Sequence, residues 1–233
     1  MKSLPILFIG LFATLGLSWL GLGLLNQQTI GALDPAPESA LLGGEEEGEE
    51  PSLLGQNRLP PRPLSRAHEG AQVYADLGCY QCHTQKVRPA ELGFDVARDW
   101  GPRQKVARDM VRRYKPMTGT IRIGPDLSNI GNRAESDNWL HLHLFNPRLN
   151  QPAANKPAFR FLYKSRPKSG DPLDKRQKTA LQFPSRIPKR LAKTLRTHEI
   201  VPTERASRLV AYLKSLKMDY ELPEATFPQE EEE

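Results

Sequence analysis

The chain has 233 residues, with 33 Lys and Arg against 27 Asp and Glu, a formal net charge of +6 and an isoelectric point near 9.4. That length fits one domain with extensions, and the low aromatic content (7%) together with 21 prolines and a mean hydropathy of −0.55 leaves material for only a small core. The basic balance does not make a nucleic-acid binder. There is no DNA or RNA motif and no regular interleaving of basic and aromatic residues, and such a surface equally suits an acidic protein partner or anionic lipid.

Residues 1–3 form a short tip, and Leu4 to Leu25 then carries no charge over 22 residues. As a helix the segment reaches roughly 33 Å, enough to cross a bilayer core. Lys2 is the only charge before it, and the next charges are Asp34 and Glu38. This places the N-terminus inside and the rest outside. A cleaved signal peptide is the competing reading. The apolar run is long for one, and no clear small-x-small cleavage site follows, so a retained anchor over 4–25 is the expectation. No cysteine ends the run, which excludes a lipoprotein anchor.

Residues 26–63 read as a disordered, acidic and Pro-rich tether. Six prolines accompany the run GGEEEGEE at Gly43 to Glu50, and like charges with Gly and Pro bury too little apolar area to fold. Ser65 to Leu77 is then helical, with Ser65 able to cap it and Ala67, Ala71, Tyr74 and Leu77 at helical spacing. Gly78 ends it, and His68 is expected on its exposed side.

Cys79-Tyr80-Gln81-Cys82-His83 follows at once. Two cysteines three positions apart and an adjacent histidine form the attachment signature of a c-type haem. Each thiol adds to one porphyrin vinyl group to form a thioether, and the two-residue gap lets one turn of chain reach both. The histidine is then held under the iron as its proximal ligand. The two cysteines are the only ones in the chain, so none is left for a structural disulfide. A thioredoxin-like pair would want a βαβ context, and a zinc site two further ligands at finger-like spacing. Neither is present. A covalent haem also adds a large apolar body to a small core.

After an extended Thr84 to Pro89, residues 98–122 carry eight basic against two acidic side chains. This stretch reads as a solvated face, a docking face for an acidic partner, or a source of charge for the haem propionates. Trp100 is expected to pack on the domain. Ser136 or Asp137 caps a helix that runs to Phe145 and stops at Asn146-Pro147. His141 and His143 lie about 200° apart on it, so at most one faces the haem. Leu149 to Pro202 is loop-rich. Thr203 to Lys217 is a closing helix with Leu209, Tyr212, Leu213 and Leu216 on one face. Residues 221–233 read as an acidic disordered tail.

A helix leading into Cys-x-x-Cys-His, then Gly124-Pro125-Asp126-Leu127, then a closing helix resembles a class I cytochrome c domain, here 64–220. That resemblance implies an all-α fold on one N-terminal transmembrane helix, with loop-rich extensions. It also gives Pro125 a role, its carbonyl accepting a hydrogen bond from the second ring nitrogen of His83 and so fixing the tautomer and raising the ligand's basicity. The order GCYQCHTQKVRP, RIGPDLSNIGNR, DNWLHLHLFNPR and NKPAFRFLY is more specific. It resembles subunit II of cbb3-type haem–copper cytochrome c oxidases, the membrane-anchored mono-haem subunit, over about Ala71 to Tyr163 plus the anchor.

The family's role implies electron transfer toward the catalytic subunit of a terminal oxidase, from a soluble or membrane-bound donor that is expected to be acidic. It further implies a single-pass bacterial inner-membrane protein in contact with lipid, its one haem c on the periplasmic side, with no catalysis of oxygen reduction by this subunit alone. Haem attachment carries over to Cys79 and Cys82, and proximal ligation to His83. The family's distal ligand is a methionine where this chain has Lys156, and Leu140 stands where the family often has histidine. Met117 on its loop is the first distal candidate, Lys156 as a neutral amine the second, and His141 or His143 would give bis-histidine iron. Met110 and Met218 read as packing residues. An open distal site would instead fit a gas-binding or sensing protein, and an assembly subunit with a vestigial haem is a third reading.

Overall fold

The computed structural model describes residues 4–31, 34–35, 58–59, 65–111, 113, 115–168 and 179–228. It divides into two compact units, Met1–Pro61 and Arg62–Glu233. In the first, α1 (Leu4–Trp19) runs through a π-helical stretch (Leu20–Leu25) into α2 (Asn26–Gly31). Its apolar side chains face outward, with Phe12 69% and Leu22 76% exposed. Leu4–Gln28 is thus long and apolar enough to cross a membrane, and the helix continues past Leu25, where the sequence pattern ended the anchor. Two-residue strands β1 (Asp34–Pro35) and β2 (Arg58–Leu59) pair in parallel. The acidic run Gly43 to Glu50 lies outside the described residues.

The second unit is built on α3 (Ser65–Asp76) and the closing helix α7 (Glu204–Lys214). They pack face to face through Ala67, Gly70, Ala71, Val73 and Tyr74 on one side and Ala206, Leu209, Val210, Tyr212 and Leu213 on the other. Gly70 makes this possible, because a Cβ there would lie 1.9 Å from the Arg208 carbonyl oxygen. The Tyr74 and Tyr212 rings meet edge to face at 5.3 Å. Thr203 caps α7, accepting from the Ala206 amide. The short α4 (Ile130–Arg133) is tied to the end of α7, Gly131 N donating to Leu216 O at 2.8 Å. Next, α5 (Asp137–Phe145) is capped by Ser136, which accepts from the Trp139 amide, and buries Leu140, Leu142, Leu144 and Phe145. His68 is exposed on α3, as its place outside the apolar stripe predicts.

The domain is helix-rich, but it is not purely α. Strands β3 (Tyr163–Pro167) and β4 (His198–Pro202) form an antiparallel pair, and α6 (Lys189–Thr197) leads into β4. The stretch from Leu149 to Pro202 is therefore more regular than its prolines imply. Of its seven prolines, Pro167 and Pro202 stand at strand ends and Pro188 immediately before α6, where they interrupt nothing. The C-terminal segment also departs from expectation. Leu222 and Ala225 are buried and bridge to each other, and Glu224 pairs with Arg108 at 2.8 Å, so Glu221 to Pro228 is part of the fold.

Part of the basic stretch turns inward, with Arg103 and Lys105 buried, while Arg98 and Lys115 stay on an exposed face. The Arg103 guanidinium holds Asp109 through two bonds of 3.0 and 2.9 Å, with both side chains almost fully buried. Tyr220 Oη donates to the same carboxylate at 2.7 Å. Burial works against the Asp109 charge, but these donors hold its pKa below the ordinary carboxylate value.

Gly70→Ala tests the helix crossing. Alanine is intrinsically favoured over glycine in a helix by about 1 kcal/mol, yet overpacking here should outweigh that and destabilise the protein by about 2 kcal/mol. Calorimetric melting of the full chain in detergent reads the difference; a variant as stable as wild type would show that the crossing can relax.

Candidate haem site

The end of α3 sets the site. Gly78 takes the left-handed conformation (φ 67°) and turns the chain into a 3₁₀ turn over Cys79–Gln81. His83 N donates to Cys79 O at 3.0 Å, closing the loop that carries both cysteines. The two thiols are unpaired, Cys79 half-buried and Cys82 exposed. Burial pushes the Cys79 thiol up to about 11. This is opposite to the depressed pKa of a redox-active Cys-x-x-Cys pair. Among the described residues, no three His, Cys, Asp or Glu side chains gather as a metal cage.

Two segments meet at His83. Its Nδ1 lies 2.8 Å from Pro125 O. Gly124 N donates to Cys82 O at 3.0 Å and Leu127 N to Thr84 O at 2.8 Å, so residues 82–84 and 124–127 run together. Gly124 permits the approach, because a Cβ would lie 2.2 Å from the imidazole. With the Pro125 carbonyl as acceptor, Nδ1 carries the proton and Nε2 keeps its lone pair. Burial holds the His83 pKa below the ordinary histidine value, partly offset by that carbonyl.

The remaining candidates separate clearly. Met117 is buried in the hydrophobic core. Its loop is tied to the cysteine loop by Gln85 N to Thr118 O (3.1 Å) and Thr120 N to Tyr80 O (3.2 Å). Gly119, with φ 79°, brings that loop against the His83 carbonyl. Lys156 instead comes from beyond α5. Its Nζ donates to His143 O at 3.2 Å and lies over the Phe159 ring at 5.6 Å. It is within electrostatic reach of Cys79, His83 and His143, and burial pushes it down to about 8. His143 stacks on Trp139 at 5.0 Å, and its buried Nδ1 has no hydrogen-bond partner. His141 is turned to Tyr163, their Nδ1 and Oη 3.1 Å apart. The two histidines thus face different ways, as their spacing on α5 predicts. Met218 is buried and Met110 half-buried.

These residues fit a haem. They combine two free thiols, a histidine with its Nδ1 engaged, a half-buried amine and an unsatisfied buried imidazole nitrogen. Sequence reasoning missed the polar frame around them, chiefly Asp95, Arg122 and Asp126. Asp95 and Asp126 are fully buried charges, which no apolar periodicity reports.

Two thiols and a histidine on one short loop after a packed helix, with the other donors brought in from α5 and beyond, fit a mono-haem protein. The comparison with known families agrees. The model for the cytochrome c oxidase mono-heme subunit, FixO, matches residues 60–188. The chain belongs to this family, the mono-haem subunits of cbb3-type oxidases. The match ends just before α6, so α6, β4 and the closing helix lie beyond it. No curated protein matches the sequence.

Two outcomes follow from this geometry. Gly124→Ala should drive the His83 ring off Pro125 O and cut the yield of haem-loaded protein severalfold, read as the ratio of Soret to protein absorbance; an unchanged ratio would show that the contact is not limiting. His141 is held down to about 4 by burial, against an ordinary value of 6.5. The unfolded chain therefore takes up a proton as pH falls from about 6.5 to 4, and the folded one does not, so stability drops through that window and levels below it. His141→Gln should flatten the slope of melting temperature against pH there.

Proposed function

We propose that the protein is a membrane-anchored mono-haem cytochrome that passes electrons toward the catalytic subunit of its oxidase. The observation that carries this reading is the juxtaposition of Cys79, Cys82 and a His83 ring whose Nδ1 sits on Pro125 O at 2.8 Å. Cys79 and Cys82 would hold the porphyrin through thioethers, and His83 Nε2 would bind the iron. Pro125 keeps the ring in one tautomer and makes it a stronger donor. The haem supplies one-electron redox chemistry when bound; the chain supplies its position, burial and tuning.

As a further residue that would hold the iron, we favour Lys156 over Met117. Lys156 shares the electrostatic environment of Cys79 and His83, whereas Met117 belongs to a loop laced to the cysteine loop itself. A nitrogen ligand in place of methionine sulfur sets a lower reduction potential. The domain boundaries supporting this reading are an anchor near 4–25, a tether to about 63 and a class I cytochrome c domain from 64. Lys2 before the anchor and the acidic residues after it support a haem domain on the periplasmic side of the inner membrane. A tethered haem then meets donor and acceptor at an effective concentration set by the reach of the chain. The donor is acidic, and anionic lipid lies within the same reach.

The experiment is haem staining and electron paramagnetic resonance on the purified full chain. Cys79→Ser and Cys82→Ser should each abolish or sharply reduce haem that survives denaturing gels. Lys156→Ala should change the ferric g-values and Met117→Ala should not; the reverse pattern would restore Met117. Ferrous protein should leave carbon monoxide largely unbound, and rapid carbon monoxide binding would replace this reading with ligand sensing.

A further inference from the structure

Arg122 does not touch His83, yet it joins the two segments that define how the ring sits. Its Nη1 donates to both oxygens of Asp95, at 2.7 Å each. Its Nε donates to Thr84 Oγ1 at 2.9 Å, and its Nη2 to Lys86 O. The Asp126 carboxylate lies 3.7 Å from the same guanidinium. Thr84 Oγ1 in turn donates to Asp126 Oδ2 at 2.6 Å, and so does Lys86 N at 2.7 Å. Ser128 N donates to Asp126 Oδ1 at 2.8 Å. On the far side Arg88 closes on Asp95 through its backbone N (2.8 Å) and Nη2 (3.0 Å).

The logic of this cluster is positional. His83 precedes Thr84, and Pro125 precedes Asp126, so each partner in the His83–Pro125 bond is adjacent to a residue of the cluster. The two partners lie 42 positions apart in sequence. Arg122, three residues before Pro125, reaches back to Thr84 and Lys86 across that gap. Both carboxylates are fully buried, and Arg122 keeps only a fifth of its side chain exposed. A buried carboxylate that loses its cation is strongly destabilised, so the cluster holds one geometry. The planar fork is required, since three of its nitrogens serve acceptors in different directions, which a lysine cannot reproduce.

We propose that Arg122 is a positioning residue that fixes the His83 Nδ1–H to Pro125 O bond and thereby sets the donor strength of the iron's proximal ligand. This rests on His83 being that ligand. A firmer bond gives the imidazole more anionic character, which favours ferric iron. Loosening it favours ferrous iron. Removing a cation has the opposite effect, so the test must keep the charge.

Arg122→Lys keeps the charge and loses the fork. Thr84→Val is nearly isosteric, keeps all charges and breaks the relay to Asp126. Both are made in the full chain and compared with Leu162→Ala, a core substitution away from the cluster that also lowers the melting temperature. Proton NMR of the ferrous protein reads the His83 Nδ1–H, and spectroelectrochemistry reads the redox balance. In both variants the Nδ1–H resonance should move upfield, and the ferrous-to-ferric ratio at fixed potential should rise about threefold, with neither change in Leu162→Ala. If Arg122→Lys fails to take haem, Thr84→Val decides alone. An unmoved resonance and potential in the variants, or equal shifts in the Leu162→Ala control, would overturn the proposal. Absence of a His83 Nδ1–H resonance in the wild type would instead overturn the ligand assignment on which it rests.

Discussion

The contact on which the rest of this domain depends is the hydrogen bond between His83 and the Pro125 carbonyl. It joins a loop held by α3 to a turn held by α4, and those elements are held in turn by the closing helix. Gly70 sets how closely α7 approaches α3, Gly131 ties α4 to Leu216, and Gly124 lets the turn reach the ring. Each is a place where a backbone must come close, and at each a single methyl group would intrude. The site is therefore a consequence of helix packing at a distance as much as of the five-residue motif.

Around that bond the protein spends charge instead of apolar surface. The basic stretch from Arg98 to Arg122 contributes two buried constellations, one centred on Arg103 and Asp109 and one on Arg122, Asp95 and Asp126. Lys105 adds a third buried cation, pushed down to about 7 by burial first and by Arg113 next, with Ser128 Oγ 3.5 Å away. Ion pairs of this kind add little net stability over well-packed apolar residues, but they penalise every alternative arrangement. The stretch between the cysteine loop and the Gly-Pro-Asp-Leu turn leaves Leu92, Phe94, Ile121 and Ile123 exposed, and these ion pairs tie it down instead.

Much of the scaffold was legible because it follows periodicity and punctuation. The stripe through Ala67, Ala71 and Tyr74, the stop at Gly78, the cap at Ser136 and the face through Leu209, Tyr212, Leu213 and Leu216 are local signals, and all reappear in the fold. What was illegible depends on partners distant in sequence. Strand β3 pairs with β4 more than thirty residues later, and its proline-rich surroundings disguise it. The charges of Arg103 and Arg122 look like surface charges until Asp109 and Asp95 are placed against them. Leu222 and Ala225 are too isolated to announce a folded tail. At the site itself, the spacing of Cys79, Cys82 and His83 was sufficient to point to a haem, the group that the family match also implies. Which further side chain comes near His83 was not legible, because Met117 and Lys156 both follow it from distant loops, and their placement depends on contacts such as Gln85 N to Thr118 O and Lys156 Nζ to His143 O.

In the proposed role, electrons pass through a haem held by this subunit. The direct measurement is flow–flash spectroscopy of the assembled oxidase, started fully reduced and exposed to oxygen, with the absorbance of this haem followed through one turnover. The account predicts that it is oxidised within a single catalytic cycle and re-reduced when donor is supplied. A haem that keeps its oxidation state while oxygen is consumed would contradict it.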